Sequence, residues 1–77
     1  MMMKVTVKLI GPLIYEAGFS EKALELPGPM TAGELSAYVK IDRKRPTIIT
    51  RNGKAAAPGD VLEDGDRVVI SHIYSGG

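Results

Sequence analysis

Apolar and polar residues alternate through Lys4-Val5-Thr6-Val7-Lys8-Leu9, so Val5, Val7 and Leu9 share one side and Lys4, Thr6 and Lys8 the other. A period of two predicts a half-buried strand, and Gly11-Pro12 ends it. The stretch Leu13–Ser20 holds Leu13, Ile14, Tyr15 and Phe19 without clean periodicity. It reads as a loop or short helical turn that tucks apolar side chains under the sheet edge. Lys22–Leu26 alternates again, with Leu24 and Leu26 opposed to Glu25, until Pro27-Gly28-Pro29. Thr31-Ala32-Gly33-Glu34 then fits a capping box, in which the Thr31 and Glu34 side chains satisfy each other's free backbone N–H groups. Leu35, Tyr38 and Val39 follow at helical spacing, predicting a helix from Ala32 to about Lys40 that Gly33 weakens slightly. The charged stretch Asp42–Arg45 and Pro46 form its exit loop.

Thr47–Arg51 is β-branched and runs into Asn52-Gly53, the signal of a two-residue hairpin turn. A short return strand through Ala55–Ala57 is expected, stopped by Pro58-Gly59. Asp64-Gly65-Asp66 makes a tight turn, and Arg67–Ile73 is the most strand-like run in the chain. The order is strand, strand, helix, strand, short strand, strand. It predicts an α+β domain: a mixed four- to five-stranded sheet with one main helix packed on one face. The first and last strands are the most continuously apolar, so both are expected at the centre, and parallel because a helical crossover separates them. That is the β-grasp, or ubiquitin-like, arrangement. Residues 1–74 are expected to form this domain, and residues 75–77 a flexible tail ending in Gly-Gly.

Composition narrows what such a domain does. A chain of 77 residues is one domain that hides only about 60–65% of its unfolded surface, too little for a deep catalytic pocket. Ten Lys+Arg against nine Asp+Glu give a formal net charge of +1, which provides no general electrostatic case for nucleic acid or an anionic membrane. The chain has no cysteine, so disulfides, thiolate zinc sites and a cysteine nucleophile are excluded. Lys4 and Lys8 interrupt the N-terminal apolar residues, unlike a signal peptide, and no apolar run approaches the roughly 20 residues that span a bilayer. The expectation is a soluble cytoplasmic protein that works by presenting a surface.

The candidate surface is the C-terminal end, Ser71-His72-Ile73-Tyr74-Ser75-Gly76-Gly77. At about 7% glycine usage a closing Gly-Gly arises by chance in about 0.5% of chains. Without Cβ, Gly76 and Gly77 can thread a narrow site and let a partner's backbone approach closely; Ser75 is also small. Along the last strand Val68 and Ile70 point to the helix, leaving Val69, Ser71 and Ile73 on the opposite face. With Tyr74 these form the expected partner-docking surface. His72, the only histidine, reads as a packing residue. Arg43-Lys44-Arg45 reads as a solvated loop. Glu63, Asp64 and Asp66 crowd one turn, where they serve turn chemistry or meet basic residues of a partner. Asp60 through Gly65 lacks the calcium-loop spacing, and no glycine-rich loop ends in Gly-Lys-Ser/Thr. No metal site and no nucleotide site is expected.

Asn52-Gly53 after a β-branched strand, Leu62 before Gly65-Asp66, and the closing Gly76-Gly77 occur in the order in which they recur in the MoaD/ThiS family of ubiquitin-like sulfur carriers. The chain resembles that family from Val5 onward. Its long excursion from Gly11 to Leu35 is more like MoaD, the small subunit of molybdopterin synthase, than ThiS. MoaD-like chains often carry two prolines shortly before the glycines, where this one has Ser71-His72-Ile73-Tyr74. The resemblance implies that a MoeB/ThiF-type adenylyltransferase uses ATP to convert the Gly77 carboxylate to an acyl-adenylate. A sulfurtransferase or desulfurase persulfide then displaces AMP, leaving a thiocarboxylate. The recipient is the large subunit of molybdopterin synthase, with thiazole synthase in the thiamine pathway or another sulfur-accepting synthase as alternatives. The chain itself is a carrier rather than an enzyme, with no bound cofactor. Two other classes stay open: a protein modifier joined to lysine, and a β-grasp binding module that is never activated.

Overall fold

The protein is seen in a computed structural model that describes residues 2–41 and 46–72. The alternation of the N-terminal segment becomes β1, Met3–Leu9, with Met3, Val5, Val7 and Leu9 buried and Lys4 and Lys8 exposed. The elements that follow are α1 (Leu13–Ala17), β2 (Glu21–Leu26), α2 (Ala32–Tyr38), β3 (Thr47–Arg51), β4 (Lys54–Ala56) and β5 (Arg67–His72). The five strands make one mixed sheet in the order β2-β1-β5-β3-β4. β1 and β5 run parallel, with Val7 opposite Val68 and Leu9 opposite Ile70; β5 is antiparallel to β3. The expected α+β β-grasp architecture is therefore present, with both apolar strands inside the sheet.

Val5, Val7, Leu9, Leu26, Val68 and Ile70 from the sheet meet Leu35 of α2, Val39 just after it and Leu13 of α1 in a single core. Each of these side chains, once fully enclosed, contributes about 1.5–3 kcal/mol through burial. The segment without clear periodicity is a real helix of one turn. Gly18, at φ 85°, ends it, and its N–H reaches the Ile14 carbonyl. Only Leu13 is buried there, and Tyr15 is 88% exposed. One anchoring leucine leaves no periodic signature, so the sequence leaves a loop and a short helical turn both open, and the helical turn is what forms.

The capping box forms as expected: Thr31 N–H donates to Glu34 Oε1 at 3.0 Å and Glu34 N–H to Thr31 Oγ1 at 3.1 Å. Hydrogen bonds from the Thr31 backbone, then from its side chain, hold the Glu34 carboxyl below its ordinary value. The other N–H groups that a helix start leaves free find partners on the loop before β5. Ala32 donates to the Asp60 carbonyl and Gly33 to the Pro58 carbonyl, each at 2.9 Å. Leu62 of the same loop is buried and bonds Met30. The first turn of α2 is thus strapped to a distant segment.

At its other end α2 stops at Tyr38, earlier than the predicted Lys40. Lys40 takes a left-handed conformation, φ 65°, its N–H bonding the Ala37 carbonyl while Ile41 bonds Ser36. This is a Schellman closure, with a lysine where glycine is usual and with Ile41 buried behind it. Tyr38, the last residue of α2, is half exposed.

Gly33 stands in the first turn for a packing reason. A Cβ there would lie 3.1 Å from the Pro58 carbonyl oxygen and 3.2 Å from its Cβ, and that carbonyl cannot retreat without losing its bond from Gly33. Gly33→Ala is therefore expected to destabilise the protein by about 0.5–1.5 kcal/mol although alanine is the better helix former by about 1 kcal/mol. Urea unfolding measures the sign; a gain in stability would show that the strap yields freely.

The β3–β4 turn has Asn52 at φ 52° and Gly53 at φ 83°, the geometry that Asn-Gly favours. Because the turn takes only two residues, Lys54 pairs directly with Arg51. The return strand is Lys54–Ala56 rather than Ala55–Ala57. β5 is described as Arg67–His72, and the predicted last residue of that strand, Ile73, lies outside the described residues.

Candidate functional site

The strand that leads to the C-terminal end is held on both sides. β5 lies between β1 and β3, with Lys8 beside Val69 on one flank and Thr50 on the other. Ile10 N–H donates to the Ile70 carbonyl at 3.1 Å, and His72, the last described residue, pairs with Thr47. The predicted tail residues Ser75, Gly76 and Gly77, the docking residues Ile73 and Tyr74, and the boundary between 1–74 and 75–77 all lie outside the described residues. So does Arg43-Lys44-Arg45.

Side chains along β5 alternate as expected. Val68 and Ile70 are completely buried towards the helices, while Val69 and Ser71 are half-buried on the helix-free face. The register adds residues that sequence reasoning missed. Ile48, 45% exposed, lies opposite Ser71, and Thr50 lies opposite Val69. Ile48, Val69, Thr50 and Ser71 thus form a weakly polar surface beside the root of the tail. Ile48-Ile49 gave no clue to which isoleucine faces out; the turn at Asn52-Gly53 fixes the register and puts Ile49 in the core. On the same face Arg67 lies 3.9 Å from Glu21.

His72 follows Val68 and Ile70 onto the core side. Its side chain is buried, with Nε2 at 3.5 Å from Glu16 Oε2 of α1. That fits its reading as a packing residue at the end of the strand.

The acidic turn before β5 serves the fold. Asp66 is buried and accepts from Arg51 Nε at 2.6 Å, Asn52 Nδ2 at 2.9 Å and Glu63 N–H at 2.7 Å. Burial pushes its carboxyl up, but these bonds and the Arg51 charge outweigh burial and leave it below its ordinary value. Asn52 Oδ1 in turn accepts from Arg67 N–H at 2.9 Å. Asp64 accepts from the backbone N–H of Lys4 at 2.7 Å. Glu63 and Asp64 are exposed, and the Glu63 carboxylate lies 3.6 Å from Arg51. One carboxylate, Asp66, therefore joins the β3–β4 turn to the start of β5, and a second, Asp64, joins the turn before β5 to β1. Together they fix where β5 enters the sheet. No helix among the described residues is long and apolar enough to cross a membrane.

Comparison with known proteins agrees with this geometry. Residues 7–77 match the model of the ThiS family. SAMP1 from Haloferax volcanii has a similar structure, with TM-score 0.72 and 25% identity over 96% of this chain and 99% of that one. A Pyrococcus furiosus protein described as molybdopterin converting factor, subunit 1, gives TM-score 0.76 and 24% identity, covering 94% and 99% of the two chains. The ubiquitin of Caldiarchaeum subterraneum gives 0.63 and 26%, over the whole of both chains. No curated protein matches the sequence.

Proposed function

The chain belongs to the ThiS family, and on that premise we propose that it is a sulfur carrier whose working group is the carboxylate of Gly77. It is a small ubiquitin-like protein, and it serves as a co-substrate for other enzymes. A free carboxylate is a poor electrophile because its leaving group would be oxide. An adenylyltransferase of the MoeB/ThiF type supplies ATP: the Gly77 carboxylate attacks the α-phosphorus, pyrophosphate leaves, and an acyl-adenylate results. The outer sulfur of a persulfide on a sulfurtransferase displaces AMP. A thiol then cleaves the sulfur–sulfur bond and leaves a thiocarboxylate on Gly77. Absence of cysteine is compatible with this, since the sulfur rides on the terminal carbon.

The observation that carries the reading is that the family match runs through Gly76 and Gly77. The helix-free face supports it, because Val69, Ser71 and Ile48 offer a docking surface on the strand that leads to the C-terminal end. The long excursion from Gly11 to Leu35 favours molybdopterin synthase as recipient, its large subunit accepting the tail; thiazole synthase is the alternative.

A second reading has its own support in the likeness to SAMP1, the small archaeal modifier protein 1 of Haloferax volcanii, at 25% identity. The same acyl-adenylate, captured by a lysine amine, would give an isopeptide-linked modifier. Intact-mass analysis of the chain from its own cells separates the two. The carrier reading expects a fraction in which sulfur replaces one carboxylate oxygen. Lysine adducts without that fraction would favour the modifier, and neither product would leave a binding module.

A further inference from the structure

The sheet has an open edge away from the tail. Among the described residues β2 pairs only with β1. In an antiparallel ladder alternate residues turn both backbone groups towards the neighbour, and the bond from Leu9 N–H to the Ser20 carbonyl, 2.8 Å, sets the phase. Lys22, Leu24 and Leu26 therefore bond inward to Val7, Val5 and Met3. Glu21, Ala23 and Glu25 turn their N–H and C=O groups outward, a row of donors and acceptors ready for another strand.

Beside this edge, on the helix side of the sheet, a shallow groove of about 210 Å³ separates β2 from the end of α2. Phe19, Leu24 and Val39 line it, Tyr38 forms a half-exposed wall, and Lys22 and Lys40 supply its charge. Among the described residues no acidic side chain lines it. Glu21 and Glu25 of the same strand lie on the other face, opposite Lys8 and Lys4. Edge lysines alone serve to deter self-association, but they do not account for an apolar groove with an exposed tyrosine beside them. A strand added to β2 would lay every second side chain into this groove. The lysines select acidic residues at its ends.

We propose that the β2 edge and this groove bind an extended, acidic-flanked apolar segment of a partner protein, which adds to the sheet as a sixth strand next to β2. Backbone pairing supplies affinity and the groove supplies specificity. β1 lies between this edge and β5, so a bound partner leaves β5 uncovered. The proposal is independent of the sulfur-carrier reading.

The test is titration of the isotopically labelled full chain with a blocked synthetic peptide, Asp-Glu-Val-Thr-Ile-Thr-Val-Asp-Glu, followed by amide chemical shifts. The expected result is saturable shifts across Glu21–Leu26 and at Tyr38, weakened by added salt. Lys22→Glu combined with Lys40→Glu should weaken binding about tenfold, and a lysine-flanked version of the peptide should bind the native chain about tenfold less tightly. Ala23→Pro removes only an outward N–H, so the domain should stay folded by thermal melting while peptide binding is lost. Deletion of Gly76 and Gly77 should leave binding unchanged. Absence of saturable shifts, shifts centred on Val69 and Ser71, or equal affinity for the lysine-flanked peptide would each overturn the proposal. So would concentration-dependent shifts of β2 without peptide, which would assign the edge to a second copy of the chain.

Discussion

A chain lacking Gly77 is expected to acquire sulfur at least about a thousandfold more slowly than the native chain, because its carboxylate is withdrawn by about 3.5 Å and misplacement of even about 1 Å can cost a hundredfold in rate. The deletion still leaves a carboxylate, now on Gly76, so the loss would report position rather than chemistry. Gly77→Ala keeps the position and adds a Cβ next to the carbon under attack, with a smaller expected loss of about tenfold. Neither change touches a hydrogen bond of the described fold, so unfolding free energies should stay within about 0.5 kcal/mol of native. The measurement is single-turnover loading with an adenylyltransferase and a persulfide donor, read by intact mass. Equal loading of the truncated chain would remove Gly77 from the mechanism. A large drop in melting temperature would instead make the deletion a folding defect.

Asp66→Ala should cost about 2–4 kcal/mol, a large part of the roughly 4–12 kcal/mol available to a domain of this size. The substitution leaves Arg51 Nε, Asn52 Nδ2 and the Glu63 N–H without their acceptor. Arg51 keeps partial access to water, 28% of its side chain, which limits the cost. Asp66→Asn retains one acceptor oxygen and should fall between native and alanine. The native carboxyl is depressed below its ordinary 3.8, which fixes the direction of the pH dependence. Its contribution is complete above that pH and is lost as pH falls through the lower folded value. Stability of the native chain should therefore drop more steeply below pH 3.8 than that of Asp66→Asn. Parallel acid profiles for the two proteins would show that the carboxylate charge adds nothing to the network.

Much of this architecture is written in local patterns. β1 follows from its alternation, the start of α2 from Thr31 and Glu34, and the β3–β4 turn from Asn52-Gly53; each is decided by residues within a few positions of one another. The parallel pairing of β1 with β5 was readable because both strands are apolar and a helix separates them. What the sequence hid are relations between distant residues. Asp66 looked like one of three turn acids, yet its partners Arg51 and Asn52 belong to another hairpin. Pro58 and Asp60 looked like loop residues, yet their carbonyls complete the first turn of α2. Val69 and Ser71 were found on the helix-free face by parity alone, whereas Ile48 needed the register of β3 against β5. The groove beside β2 joins Phe19 and Leu24 to Tyr38, three residues from a loop, a strand and a helix whose nearness no local pattern reveals.

The position of β5 has a consequence for biosynthesis. The pairs β2-β1 and β3-β4 share no ladder; only the insertion of β5 joins them. A nascent chain can form both pairs and α2 early, but its sheet stays divided until β5, the last strand to be made, docks against the first. Such long-range closure is slow and leaves strand edges open while it waits. The strand that precedes the C-terminal residues is therefore fixed in place only when the two halves have been joined. Under the proposed carrier role, an activating enzyme that reads the helix-free face would pass over chains whose two halves are still apart.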